Sequence, residues 1–466
     1  MMRSHRHVSL LASLLALVAL AAPAQAQAKT KRTVTAELRT LLAAGQIDQL
    51  TYTSTASAYN AAKRTVRTLS GARKTQLSAV IKNVEADAKG RRLVPARLLS
   101  EAETLRRNTT WWSTGKPLAK GARISFPESE LVWQYYPGQG LQIQWLATFG
   151  KANGYFTSTQ NTKFKKLLDE ALPYANTRAG GIAWEYMFKF GGGSPPWVSG
   201  MAQATAIQTY ARAGAKYAPT DPARSAAYLD AAYKGLGVFK TPAPEGIRVD
   251  TPVGAHYLIY SYSRSLRVLN AFTQSVIGLR DYAKLTGNTE GLALYVQGEA
   301  QLRSEIPFYD TGSWSRYSQL SESDLPYHKL LTGFLKTMCK YVTEDAASAT
   351  VAPPGFMPVL DPAIYCDKNA TFTSYLTIPP VVELLSTTVR RSKSAPLKFS
   401  LSKAGSVNVT ATRDGQVIFS RRFSVGGGTR TTHFKASAPG PVDVKIDVTD
   451  MAGNKASTSG VVTVRR

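Results

Sequence analysis

The chain of 466 residues carries 57 lysines and arginines against 31 acidic residues, a formal charge of +26, and only two cysteines. Such a length exceeds one small core and fits two or three domains, while two thiols alone cannot build a tetrahedral metal site. The charge is compatible with ordinary solubility or with attraction to polyanions. The lack of zinc-finger spacing, of an aromatic RNA-binding pair and of a recognition-helix signature sets nucleic acid aside as a partner.

Arg3 and Arg6 precede an apolar run from Val8 to Ala22 and the small-residue series Ala24, Gln25, Ala26, Gln27, Ala28. This is the layout of a secretory signal peptide over residues 1–28, cleaved after Ala26 or Ala28. The run is short for a bilayer core, and no later segment has the apolar length of a spanning helix. The mature chain is therefore expected outside the cell, secreted or associated with the cell wall, with no membrane contact after cleavage. Export would let Cys339 and Cys366 pair as a disulfide stapling the end of one domain, with two buried free thiols as the alternative.

From Thr35 to Arg106 apolar residues recur at helical spacing, as in Leu38, Leu41 and Leu42 and again in Leu77, Val80, Ile81 and Val84. They predict three helices in an N-terminal helical region over residues 33–110. Near Trp111 the texture changes. Short extended runs around Trp133, Tyr135 and Tyr136 give way to helical periodicity over Leu141 to Phe149 and Phe164 to Tyr174. Ile182, Trp184, Tyr186 and Phe188 then alternate like a strand entering the loop Gly191, Gly192, Gly193, Ser194, Pro195, Pro196. Helical pairs are predicted over Met201 to Tyr217 with Ala223 to Phe239, and over Leu266 to Leu285 with Thr289 to Ile306. A further helix is predicted over Tyr327 to Val342.

Helix on helix with aromatic-rich linking loops is the arrangement of an α/α toroid, expected over residues 111–390 with some β-hairpins. From Ser392 the alternation of Leu397, Phe399 and Leu401, of Val407 and Val409, and of Val442, Val444, Ile446 and Val448 is separated by glycine turns. It predicts an immunoglobulin-like or fibronectin-like β-sandwich over residues 391–466. The fold class expected is thus mainly α, a toroid core followed by a sandwich.

Clusters in the central part carry candidate chemistry: Met201-Ala202-Gln203; His256-Tyr257 with Tyr260, Tyr262 and Arg264; Tyr309-Asp310-Thr311-Gly312 with Arg316 and Tyr317; and Pro326-Tyr327-His328. None has metal-ligand spacing, a phosphate-cradling glycine loop or a serine nucleophile elbow, so neither metal nor cofactor is expected. Together they resemble the C-terminal domain of D-glucuronyl C5-epimerases. The family's Met-Ala-Gln falls on Met201, Ala202 and Gln203, its Val-Leu-Asn-Gly-Phe on Val268, Leu269, Asn270, Ala271 and Phe272, and its Tyr-Asp-Thr-Gly on Tyr309 to Gly312. Its following tyrosine falls on Tyr317 and its Asp-Tyr-His on Pro326, Tyr327 and His328. The family's Glu-Glu-Tyr-Pro lands on Leu258, Ile259, Tyr260 and Ser261, so the tyrosine is kept and both carboxylates are replaced. A second family histidine falls near Leu331.

The resemblance implies a cleft for an anionic, uronate-containing polysaccharide and catalytic tyrosines at Tyr260, Tyr309 and Tyr327. Epimerisation at C5 removes the proton beside a carboxylate and returns one from the opposite face, which needs two proton-transfer groups. A phenol, with a free pKa of about 10, needs a nearby cation to act as base. Arg264, Arg316 and His328 are the candidate cations, with Arg316 as carboxylate clamp. Gln203, Tyr257, Asn270, Asp310 and Tyr317 complete the expected substrate-binding set. A uronate lyase shares the first step and expels the C4 oxygen instead. A glycoside hydrolase would need paired carboxylates, for which Glu128, Glu130, Glu185 and Asp310 are available. A non-catalytic polysaccharide-binding or wall protein would use the same aromatics for stacking. Oligomeric state is not legible in the sequence.

Overall fold

The computed structural model describes residues 32–347 and 362–466. The signal-peptide segment lies outside the described residues.

The chain opens with four helices rather than three: α1 (Val34–Ala43), α2 (Gln49–Thr68), α3 (Gly71–Lys89) and α4 (Pro95–Thr114). The break between α1 and α2 is set by Asp48, whose carboxylate accepts from the Thr51 N–H at 2.7 Å and caps the second helix. Strands β1 (Arg123–Ile124), β2 (Trp133–Tyr136) and β3 (Gly140–Ile143) form a three-stranded antiparallel sheet. Helical periodicity pointed to a helix from Leu141, yet Leu141 is in a strand and the helix begins at Trp145. The reason is tertiary: the Asn108 side chain on α4 bonds both the N–H and the carbonyl of Leu141, each at 2.8 Å, and holds it extended.

Then follow α5 (Trp145–Thr157), α6 (Asn161–Ala171), the hairpin β4 (Asn176–Arg178) and β5 (Gly181–Ala183), α7 (Gly200–Tyr217), α8 (Pro222–Lys234) and the one-turn α9 (Gly237–Lys240). After the hairpin β6 (Arg248–Asp250) and β7 (Ala255–Tyr257) come α10 (Leu269–Thr286) and α11 (Thr289–Glu305). The hairpin β8 (Arg316–Ser318) and β9 (Ser321–Glu322), α12 (Leu325–Ala347) and α13 (Ala363–Ser374) complete this part. Helices α7 and α10 are buried around nearly their whole circumference. They approach closely at Gly278, where a Cβ would lie 2.5 Å from the Ala204 carbonyl oxygen. Helix α8 flanks α7, α11 flanks α10, and the row continues through α12 to α13. Cys339 on α12 and Cys366 on α13 are joined as a disulfide.

The last strands are β10 (Val382–Leu384), β11 (Thr388–Arg390), β12 (Ser392–Leu401), β13 (Gly405–Arg413), β14 (Gln416–Val425), β15 (Gly428–Ala436), β16 (Gly440–Asp450) and β17 (Lys455–Arg465). They form a three-stranded sheet in the order β10-β12-β15 and a five-stranded sheet in the order β11-β17-β16-β13-β14, in which β11 runs parallel to β17. Period-two alternation buries Val407, Val409 and Ala411 on β13 and Val442, Val444, Ile446 and Val448 on β16 in an apolar cluster of their own.

The fold departs from the expected class. Among the described residues no sheet is closed or curled, and neither an α/α toroid nor an immunoglobulin-like or fibronectin-like sandwich is formed. The fold is largely helical with open sheets of mixed topology. Pairwise helical periodicity specifies which faces meet but not ring closure, and alternation specifies strands but not the parallel pairing of β11 with β17.

The C-terminal sheets are fastened to the helices at one end. Lys403 donates to the Tyr375 carbonyl at 2.7 Å and pairs with Asp450 at 3.4 Å. Asn454 donates to the Leu376 carbonyl at 3.0 Å, and Ser313 donates to the Ser402 carbonyl.

Candidate functional site

The site is a cavity of about 340 Å³ where the β2–β3 hairpin meets the loops before α7, α10 and α12. Its lining includes Tyr136, Tyr186, Phe188, Phe190, Trp197, Tyr260, Tyr317 and Tyr327, with the polar groups Gln144, Ser199 and Asn270. Lys120 is the cation of this lining, which contains no carboxylate.

Each wall has a local cause. Asn108 on α4 positions the hairpin that carries Tyr136. Gln144, at the start of α5, orients two phenols with one amide: it donates to the Tyr136 hydroxyl at 2.8 Å and accepts from the Tyr186 hydroxyl at 2.7 Å. Trp197 is fixed by its indole N–H, which donates to the Phe188 carbonyl at 2.8 Å. The loop holding Tyr260 is pinned by Ser261, whose N–H donates to the Val198 carbonyl at 3.0 Å and whose hydroxyl accepts from the Val198 N–H at 3.1 Å. Helix α7 is capped by Ser199, whose hydroxyl accepts from the Ala202 N–H, and its first residue is glycine because a Cβ there would fall 2.4 Å from the Leu258 carbonyl oxygen.

Tyr260 stands edge-on to Trp197, with ring centroids 5.5 Å apart, and stacks on Tyr262 at 5.4 Å. Tyr317, on β8, and Tyr327, in the first turn of α12, bring their rings to 4.7 Å. Burial, followed by the neighbouring Tyr317, Tyr262, Tyr327 and Tyr136, pushes the Tyr260 phenol well up, so it is protonated at neutral pH. Burial and Tyr327 push Tyr317 up as well, and burial pushes Tyr136 up to about 12. The Asn270 side chain is buried at the cavity, and its oxygen has no hydrogen-bond partner among the described residues. An unpaired buried amide oxygen is costly, and a ligand hydroxyl would satisfy it.

Of the residues singled out in the sequence, Met201, Tyr260, Asn270, Tyr317 and Tyr327 come together here. The others lie elsewhere. Tyr309 is buried at the end of the 3-10 turn Ile306–Tyr309, and its hydroxyl donates to the Arg267 carbonyl at 3.2 Å. Tyr257 is buried, with its hydroxyl on the Leu294 carbonyl at 2.7 Å. Gln203 braces backbone, accepting from Trp184 N–H and donating to the Ile182 and Gly235 carbonyls. Arg264 is exposed, and Arg316 lies over the Phe308 ring at 5.4 Å.

Asp310 ties a loop down by accepting from Lys368 at 2.7 Å and Tyr375 at 2.9 Å. Burial would raise its carboxyl, but Lys368, the Gly312 N–H and Tyr375 outweigh that and hold it below the usual range. His328 is buried between Ser315 and the Phe372 carbonyl, its ring 3.7 Å from that of Trp314, and burial lowers its pKa, keeping it neutral. It therefore supplies no cation. Among the described residues no group of three or more His, Cys, Asp and Glu is placed to hold a metal ion.

Sequence reasoning passed over Tyr136, Gln144, Tyr186, Phe188, Phe190 and Trp197 as site residues. The signal was present in the alternation from Tyr186 to Phe190 ahead of three glycines and in the Tyr135-Tyr136-Pro137-Gly138 turn. What was missing was the contact bringing the two segments together, which depends on Gln144.

The fold and this aromatic cavity coincide with a family-level similarity: residues 178–352 match the family model of the D-glucuronyl C5-epimerase C-terminus. Two relatives extend it. An uncharacterized protein of Methanocaldococcus jannaschii is 30% identical over 146 residues, 30% of this chain and 46% of that protein. The D-glucuronyl C5-epimerase of Caenorhabditis elegans is 31% identical over 136 residues, 26% of this chain and 21% of the relative. The chain thus spans less than half the length of the curated relatives it matches.

Proposed function

We propose that this protein is an epimerase that inverts C5 of uronic acid residues in an anionic polysaccharide. The observation that carries the reading is the meeting of Tyr260, Tyr317 and Tyr327 in one aromatic cavity, within the stretch similar to the epimerase family. The cavity suits a sugar ring: the partly exposed Tyr136 and Phe190 offer apolar faces to ring C–H groups, and Asn270 offers an acceptor to a hydroxyl. Lys120 meets the substrate carboxylate and offsets the charge that develops on it as the C5 proton leaves.

Tyr327, 42% exposed at the cavity, first gives its own O–H proton to solvent; its phenolate oxygen then takes the C5 proton, leaving the electron pair on the C5 carbanion beside the substrate carboxylate. Tyr260, held protonated by burial, delivers a proton to the other face. The composition of the sugar is unchanged and its configuration is inverted. The signal-peptide layout of residues 1–28 supports export of this activity, and the changes of sequence texture near residues 110 and 390 support domain boundaries there.

Incubation with uronate polymers in deuterated water tests the reading. Deuterium at C5 with changed sugar configuration is the expected result, and Tyr260→Phe is expected to lower the exchange at least ~100-fold. An unsaturated product absorbing in the ultraviolet would replace epimerase by lyase. A second reading has its own support: Leu258 and Ile259 stand where the family carries carboxylates, and the lining has a single cation. Binding of the polymer in the cavity with no exchange would establish a non-catalytic polysaccharide-binding protein.

A further inference from the structure

We propose that the end of the C-terminal sheets remote from the helices is a second binding surface, which holds the carboxylates of an acidic polysaccharide chain. Residues 388–466 contain fourteen lysines and arginines against four aspartates, and the strand register sorts part of that charge to one end. Arg390 on β11 pairs in register with Arg465 on β17, and the Arg391 N–H donates to the Arg465 carbonyl at 2.8 Å. Ser392 on β12 pairs with Ala436 on β15, which sets Lys393 beside Lys435, and Arg391, Lys393 and Lys435 line one open cleft. Arg390 and Lys398 line a second cleft with Ser386, Thr388 and Ser394.

Arg390, Arg391, Lys393, Lys435, Arg465 and Arg466 are all exposed, and none has an ion-pair partner among the described residues. Asp414 and Asp443 are the acidic residues near them in the strand register. The attachment to the helices, through Lys403, Asp450 and Asn454, is at the opposite end. The eleven residues of β16 span the gap, roughly 36 Å at ~3.3 Å per residue.

Six unpaired cations with no competing attachment create a positive potential that attracts a polyanion. Both clefts are lined by hydroxyl side chains and contain no aromatic ring for stacking a base, which favours a hydroxyl-rich sugar chain over nucleic acid. The choice of a carboxylated chain rests on the uronate reading of the cavity. The surface would hold a long polymer while the cavity works on one residue of it, raising its effective concentration there.

The test uses the full chain, polygalacturonate as probe, and two matched double variants. Arg391→Gln/Lys393→Gln is expected to weaken polymer binding roughly tenfold at ~50 mM salt, with a shallower salt dependence. Arg421→Gln/Arg422→Gln, the same charge change at mid-strand on β14, is expected to weaken it by less than ~3-fold. Equal losses in the two variants, or no loss in the first, would overturn the proposal. So would tighter binding of duplex DNA or phosphatidylserine vesicles at matched charge and salt. C5 exchange on a uronate disaccharide reads the cavity separately, and its persistence in Arg391→Gln/Lys393→Gln supports a distinct surface. Polymer binding sensitive to that variant, in a chain that exchanges no substrate, would remove the epimerase reading and leave the surface standing.

Discussion

Tyr186 and Trp197 lie face to face, ring centroids 4.2 Å apart and planes within 9°, while their backbones exchange N–H···O bonds of 2.8 and 3.2 Å. This joins the strand-like segment after β5 to the loop before α7 and makes the floor against which Tyr260 stands. Trp197→Ala removes the stack, the edge contact to Tyr260 and the bond to the Phe188 carbonyl together. Unfolding in urea should show a loss of about 3–5 kcal/mol. Trp197→Phe should recover more than half of it, since an aromatic face is kept. If both variants unfold at the parent's midpoint, the stack is incidental to the fold.

Gly200 makes a sharper case because the obstacle is backbone. A Cβ at this position would lie 2.4 Å from the Leu258 carbonyl oxygen, which itself accepts the Gly200 N–H at 3.2 Å. Gly200→Ala must therefore separate the start of α7 from the segment leading to Tyr260, at roughly 1–3 kcal/mol. Because Ser199, Met201 and Tyr260 all line the cavity, C5 exchange or polymer binding should fall by more than the stability change explains. A folded Gly200→Ala protein with undiminished exchange or binding would show that the cavity tolerates this shift.

The helices were legible where one face repeats. The periodicity from Met201 to Tyr217 and from Thr289 to Ile306 matches α7 and α11 to within a residue at each end. It failed at Leu141, where the Asn108 amide on another helix decides for strand, and no local pattern contains that contact. Tyr260, Tyr317 and Tyr327 were visible as tyrosines in loops, and the structure brings them to one cavity. Tyr309 was equally visible, yet its hydroxyl is occupied by the Arg267 carbonyl. His328 likewise reads as a cation in sequence but is buried against Trp314. Position in a motif tells which residue type is present, and burial decides which form it takes.

Glu185 holds two arginines from different parts of the chain. Arg97 on α4 makes bonds of 2.7 and 3.0 Å to it, and Arg178 on β4 makes one of 2.7 Å, with the carboxylate fully buried. Glu185→Ala leaves two guanidinium groups facing each other without their counterion, and the loss should reach about 3–5 kcal/mol. Adding Arg97→Met to Glu185→Ala should restore part of the loss, because one stranded charge is then removed. A double variant no more stable than Glu185→Ala in the same denaturant series would disprove the stranded-charge account.

Glu101 and Asp87 give the N-terminal helices a pH dependence with a definite sign. Glu101 on α4 is completely buried beside Asp87 on α3; burial and then Asp87 push its carboxyl well above the ordinary 4.5, against the opposing pull of Arg97 and Arg92. Burial raises Asp87 too, although Arg92 reaches it at 2.7 Å. A carboxyl raised in the folded state keeps its proton there after the unfolded chain has lost it. Its stabilising contribution is complete below the unfolded value and is lost as pH climbs toward the folded one. The parent should therefore lose up to about 1.4 kcal/mol per pH unit from this group as pH rises above ~5. Glu101→Gln keeps an N–H donor for Asp87 and has no proton to lose. Denaturant titrations should find it close to the parent at pH ~5 and more stable at pH ~8. Parallel stability curves for the two proteins across that range would mean that Glu101 ionises no differently in the folded and unfolded chains.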